Sequence, residues 1–205
     1  MITDNYPKTL ALRGGGLVTI RLLTASDENQ LLAFFRALPE EDRVFMRDDV
    51  CDPATVHRWT SQIDLDNVLP LVAHDDQRLV ASGSLHLMPH ACMRHVGEIR
   101  LIVARSHRGR GLGGLMTREL VALAEERGLE KLQGQVVKDN LSAVRMLEAF
   151  GFKTVAVLSG MIKDRHGWTR DLAILVADVP SLTQTMEDWI QETMPSAYRV
   201  PGDGA

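Results

Sequence analysis

One run constrains this chain more than any other: Arg108 to Gly114, which reads RGRGLGG. It follows the apolar stretch Val96 to Val103 and opens the amphipathic pattern Leu115 to Arg127. Strand, glycine turn and helix, in that order, build a cradle for an anion. Glycine lets the backbone approach a ligand with no Cβ in the way, and a helix start presents N–H groups that lack intrahelical acceptors. The helix dipole adds attraction for negative charge. A phosphorylated ligand is therefore expected at this turn.

The surrounding pattern reads as one α/β domain. Val18 to Leu23 is a first strand, entered from Gly14-Gly15-Gly16. Thr24 or Ser26 can cap a helix with Leu31, Leu32, Phe34, Phe35 and Leu38 on its apolar face, ended by Pro39. A second helix starts at Pro53 with Asp52 as N-cap. Val68 to Ala73 and Leu79 to Leu87 form a hairpin around Asp75-Asp76-Gln77, and Met88 to Arg94 is a loop. After the glycine turn, Leu112, Leu115, Met116, Leu120 and Leu123 share a helix face that Arg127-Gly128 closes. Lys131 to Val137 is the next strand. Asp139 or Asn140 caps a helix that turns Ala143, Val144, Leu147 and Phe150 inward and stops at Gly151. Phe152 to Met161 and Arg170 to Val176 form a last hairpin, and Pro180 sets off a helix around Thr183 to Thr193.

The expected order is β-α-α-β-β-β-α-β-α-β-β, a mixed, mostly antiparallel sheet with flanking helices. The connection from Val103 to Lys131 is long enough for a crossover helix, so those two strands are expected to be parallel. Residues 1–17 are expected to be a flexible segment, 18–178 the domain, and 179–205 a C-terminal helix with a disordered tail from Val200. No internal repeat is visible.

With 23 basic and 27 acidic side chains in 205 residues the net charge is −4, which leaves no electrostatic footprint for nucleic acid. No apolar stretch reaches the ~20 residues of a membrane span, and the start MITDNYPKT is no secretory signal. Two cysteines, Cys51 and Cys92, make no disulfide framework. A cytoplasmic protein with neither nucleic-acid nor membrane partners is expected. His90, Cys92 and His95 lack a clear fourth ligand, so no metal site is expected.

Three phosphate ligands compete for the cradle. Gly109, Gly111 and Gly114 satisfy the dinucleotide pattern, but Ala104 to Arg108 separate them from the strand. A P-loop needs G-K-[ST], and Gly113-Gly114-Leu115 supplies neither lysine nor hydroxyl. The third ligand is coenzyme A. Arg108-Gly109-Arg110-Gly111-Leu112-Gly113 resembles the [RQ]-x-x-G-x-[GA] signature of the GNAT family of N-acetyltransferases. Asn140 to Phe152 resembles that family's second signature, N-x-x-A-x-x-L/M-Y/L-x-x-x-G-F, in the family's order and spacing. The stretch Glu98 to Gly113 and the segment Phe34 to Arg43 look closest to the bacterial protein-lysine acetyltransferase branch.

The resemblance implies a GNAT fold and acetyl transfer from acetyl-CoA, as cosubstrate, to an amine. It implies that backbone amides of Arg108, Gly109, Arg110, Gly111, Leu112, Gly113 and Gly114 meet the pyrophosphate; Arg108 and Arg110 are each either solvated loop residues or phosphate contacts, and their place at the turn favours contact for at least one. Amides around Leu101, Ile102 and Val103 would hold the acetyl carbonyl and pantetheine, and Asn140, with Ala143 in the same motif, the pantetheine arm. Glu98 stands where the family has its usual general-base candidate. A free alkylamine has a pKa near ~10.4, so about one molecule in a thousand is nucleophilic at neutral pH. A carboxylate whose pKa is raised by partial burial can take the proton. The competing reading of Glu98 is a strand glutamate paired with Arg100 or another arginine.

The chain departs from the family at Leu147, where many members carry a tyrosine general acid. A thiol of pKa about 8.5 can leave as thiolate, so the departure need not abolish activity. With no cysteine on the active strand, direct attack in a ternary complex is expected. The rival is an acyl-CoA-binding sensor or regulatory subunit that kept the cradle and lost catalysis. The acceptor, a protein lysine or a small amine, would be shaped by residues 40–66 and 163–168. The C-terminal helix is a candidate homodimer contact.

Overall fold

A computed structural model describes residues 2–43, 46–164, 166–194 and 197. Eight strands form one sheet: β1 (Lys8–Ala11), β2 (Leu17–Leu22), β3 (Val68–Asp75), β4 (Arg78–Leu87), β5 (Val96–Val103), β6 (Lys131–Val137), β7 (Lys153–Lys163) and β8 (Thr169–Asp178). Their order is β1-β2-β3-β4-β5-β6-β8-β7, and β5 with β6 is the parallel pair. That pair is joined through α4 (Leu112–Glu126), the crossover that parallel neighbours require.

Helices cover both faces. On one side α4 and α6 (Val179–Thr193) lie over the larger core, where Ile20, Leu71, Leu85, Leu115, Leu120, Leu132 and Leu175 are almost fully buried. On the other, α1 (Glu28–Ala37) and α3 (Pro53–Ser61) enclose Phe34, Phe35, Val56 and Val72. A short α2 (Glu40–Arg43) follows Pro39, and α5 (Leu141–Ala149) follows β6. Local chemistry sets the boundaries of these helices. Asp52 accepts from the Ala54 N–H at 3.1 Å with Pro53 in the first turn, and Asn140 Oδ1 accepts from the Ala143 N–H at 3.2 Å. No helix among the described residues is long and apolar enough to cross a membrane.

One boundary expectation is corrected. The N-terminal segment is not a flexible lead-in, because Lys8 to Ala11 pair antiparallel with β2 at the sheet edge. The strand is tied down by Glu119 of α4, fully buried, which accepts from Lys8 Nζ at 2.7 Å and Tyr6 Oη at 3.0 Å. The C-terminal helix begins at Val179, with Pro180 in its first turn, and packs against α4. Leu182, Met186 and Ile190 are buried, and the Trp189 ring meets Phe150 edge-on with centroids 5.1 Å apart. The apolar face that was a candidate dimer contact is thus covered by α4 and Phe150. The tail from Val200 lies outside the described residues.

Candidate active site

Pairing between β5 and β6 runs from Val96–Lys131 only to Ile99–Gly134. Beyond that point β5 stays with β4 as far as Val103, while β6 follows β8 as far as Val137. The two strands therefore part, and an open cleft of about 1700 Å³ occupies the wedge. Ala104 donates its N–H to the Val80 carbonyl at 2.8 Å. Alternation along an antiparallel pair then turns the N–H groups of Leu101 and Val103 away from β4, into the wedge. Of the amides expected from Leu101 to Val103, those of Leu101 and Val103 face the wedge, whereas the Ile102 N–H, opposite Ser82, is turned to β4 and is corrected as a ligand donor.

The glycine turn closes the wide end of the wedge. Gly111 is the N-cap of α4 at φ +85°, a conformation that favours glycine, and the first helical bond runs from the Leu115 N–H to the Gly111 carbonyl at 3.0 Å. The N–H groups of Leu112, Gly113 and Gly114 therefore stand at the open end of the helix, as an anion site requires. Gly109, Gly111, Gly113 and Gly114 line the cleft. The Leu112 side chain is fully buried in the core, so only its backbone faces that end.

The arginines of the turn are engaged elsewhere. Arg108 pairs with Asp42 of α2 at 2.7 Å and donates Nε to the Val103 carbonyl at 2.9 Å. Its side chain lines the cleft, so contact with a phosphate there requires exchanging Asp42 for the ligand. Arg110 points away from the cleft: its guanidinium donates to the Gly15 carbonyl, and its own carbonyl accepts from the Arg13 N–H at 3.0 Å. In this arrangement Arg110 holds the β1–β2 turn. Asn140 and Ala143 line the opposite wall, with Asn140 Oδ1 already serving as the helix cap.

Glu98 sits at the apex of the wedge and is 4% exposed. Burial pushes its carboxyl up, but Arg100, which donates Nε at 2.8 Å, and Arg47, at 2.8 Å, together hold it below the ordinary carboxylate value. This corrects the expectation of a raised pKa: a buried carboxylate between two guanidinium groups stays ionised. Gln133 Nε2 adds a contact at 3.4 Å. Across the strand, His86 pairs in register with Glu98 and bonds Ser84 Oγ at 2.9 Å. Burial, with the positive charge of Arg100, pushes His86 down to about 4, so it is neutral at physiological pH.

Arg47, His86, Ser84 and Trp189 line this cleft and were not anticipated from the sequence. The alternation of β4 carries a faint signal for Ser84 and His86, which with Ser82 make a run of polar residues on one face of the strand. Arg47 and Trp189 come from distant parts of the chain and carry none. Leu147, where a tyrosine acid was considered, is 6% exposed on the cleft wall. Tyr6 is across the sheet on Glu119, and Tyr198 lies outside the described residues.

Comparison with known proteins adds to this geometry. Residues 32–152 match the family model described as Acetyltransferase (GNAT) family. The uncharacterized N-acetyltransferase YobR of Bacillus subtilis is 31% identical over 83 residues, 40% of this chain and 32% of that protein. The match thus spans about a third of the relative's length. Among solved structures, the GNAT domain of S. lividans PAT superposes with a TM-score of 0.71 at 21% identity, covering 85% of this chain and 97% of that one. The structure of yncA from Salmonella typhimurium, solved with its cofactor acetyl-CoA, gives 0.67 at 18% identity over 79% of this chain and 94% of that one.

Proposed function

We propose, from the premise that this chain belongs to the GNAT acetyltransferase family, that it is a cytoplasmic enzyme moving an acetyl group from acetyl-CoA to an amine. One observation carries the reading: the parting of β5 from β6 beyond Ile99–Gly134, which leaves strand amides free beside a glycine-capped helix start. The N–H groups of Leu112 to Gly114 would hold the pyrophosphate, and Leu101 and Val103 would donate to the thioester carbonyl. Donors fixed in advance at the oxygen where charge develops are worth most in a cleft that excludes water.

Glu98 is the assigned acid–base group, in a role adjusted to its environment. Already ionised, it orients the incoming ammonium and passes its proton through water to solvent. The free amine attacks the acetyl carbon, the C–S bond breaks, the nitrogen gives up its second proton to solvent as the amide forms, and the coenzyme thiolate leaves and takes a proton from solvent. No protein acid is required for that departure. Glu98→Gln is expected to keep acetyl-CoA affinity and lose about 10²–10⁴ in turnover, read by release of free thiol. Unchanged turnover from pH 6 to 9 in that variant removes the assignment.

The double arginine clamp on Glu98 favours a second reading, an acyl-CoA sensor that binds but does not transfer. Acetyl-CoA binding without thiol release across a broad panel of amines is its signature.

A further inference from the structure

Arg100 uses only its Nε toward Glu98, at 2.8 Å. No other described residue accepts from its two terminal nitrogens, and the side chain is 36% exposed in the cleft. The open end of a guanidinium is a planar fork that matches a carboxylate through two parallel bonds. This fork lies one guanidinium width from Glu98, where the amine is to react. With Arg47 beside it, two guanidinium groups face one carboxylate, and the neighbouring His86 is neutral. Among the acids that line the cleft, Asp42 pairs with Arg108, Asp48 with Arg58 and Asp139 with Arg170, while Asp64 accepts from the Asn67 side chain and Asp164 from the N–H groups of His166 and Trp168.

The apex therefore carries net positive charge, which disfavours a polycation and favours an acceptor with its own anion. Glu98, Arg100 and Ile102 alternate onto one face of β5. On that face Met46, Trp59, Ile63 and Ile102, all only partly buried, line the cleft and continue the smaller core. An apolar side chain has somewhere to go.

Resting on the acetyltransferase reading above, we propose that the acceptor is a small apolar α-amino acid, its carboxylate on the Arg100 fork, its amine at Glu98 and its side chain among Met46, Trp59 and Ile63. The positive surroundings also make the neutral, nucleophilic amine easier to form.

The test uses the full chain with acetyl-CoA and measures thiol release for matched acceptors: leucine against leucinamide, methionine against methioninamide, with spermidine and a lysine-containing peptide alongside. The acids are expected to exceed their amides by about 10- to 100-fold in kcat/KM, the worth of one charge-assisted pair. Arg100→Lys and Arg100→Gln are expected to bring the acid-to-amide ratio toward one, mainly through KM for the acid. A general loss of structure lowers both acceptors and leaves their ratio unchanged. Amides, spermidine or peptide used as well as the acids overturn the amino-acid acceptor while leaving the acetyltransferase reading intact, and so does a ratio that survives both substitutions. Failure to bind acetyl-CoA overturns both.

Discussion

Gly114 belongs by sequence to the phosphate turn, yet its environment is that of a packing glycine. A Cβ built there falls 2.3 Å from Trp189 Cη2, 2.7 Å from Cζ2 and 3.0 Å from Phe150 Cζ. Carbon atoms rest at ~3.5–4.0 Å, so in Gly114→Ala the indole must retreat by more than about 1 Å. It cannot slide toward Phe150, whose ring meets it edge-on at 82°. Overpacking of this kind costs about 1–3 kcal/mol, offset by up to ~1 kcal/mol of helix propensity gained over glycine. A net loss of about 1–2 kcal/mol is expected, read as a lower urea midpoint at unchanged slope. In a Trp189→Leu background the two indole contacts are gone and only the tighter-than-ordinary Phe150 contact remains, so the same alanine should be close to neutral. The double-mutant cycle should then show a coupling of at least about 1 kcal/mol. If the two substitutions add, or if Gly114→Ala leaves stability intact and weakens acetyl-CoA binding equally in both backgrounds, the packing account is refuted and Gly114 serves the ligand alone.

Other outcomes follow from the same contacts. Glu119→Ala removes the buried anchor of Lys8 and Tyr6; because Lys8 is 26% exposed and can reach water, the loss should be about 2–3 kcal/mol, below the 3–5 typical of a fully buried broken pair. Amide hydrogen exchange should accelerate first in residues 8–11, and uniform exchange across the sheet would contradict the anchoring role. His86 sets an acid limit on stability. Its folded pKa of about 4 lies below the unfolded 6.5, so between these values only the unfolded chain takes up the proton, and stability falls as pH drops. The full window is worth at most about 3 kcal/mol, and His86→Gln should flatten the Tm profile across it. Glu98 acts in the same direction but lower: its depressed pKa contributes stability above the unfolded carboxylate value that is lost as pH falls through the folded one. A Tm that rises on acidification from pH 6.5 to 4 would reverse the sign for His86, and one that rises on further acidification would reverse it for Glu98.

Local signals were sufficient for much of this molecule. Glycine at Gly111, Gly128 and Gly151 takes positive φ at helix ends, and Asp52 and Asn140 cap the helices that follow them. Alternation and helical periodicity located the strands and helices of residues 18–178, and the crossover length predicted the parallel pair. All of these depend on a residue and its near neighbours in the chain, so they are written in the order of the letters. The glycine turn was legible for the same reason, since it is a consecutive run of backbone.

What only the tertiary structure decided are the partners of charges and the uses of isolated residues. Arg47 reaches Glu98 from a segment 51 positions away and turns a supposed high-pKa base into a held carboxylate. Arg110, a candidate phosphate contact by its place in the turn, donates to the Gly15 carbonyl instead, and Lys8 becomes a strand anchor because a buried glutamate waits for it on α4. Electrostatic energy depends on distance and burial in three dimensions, neither of which a linear pattern records. The sequence therefore specified the turn and its neighbours by itself, while the charge at the apex existed only once distant segments had been folded against β5.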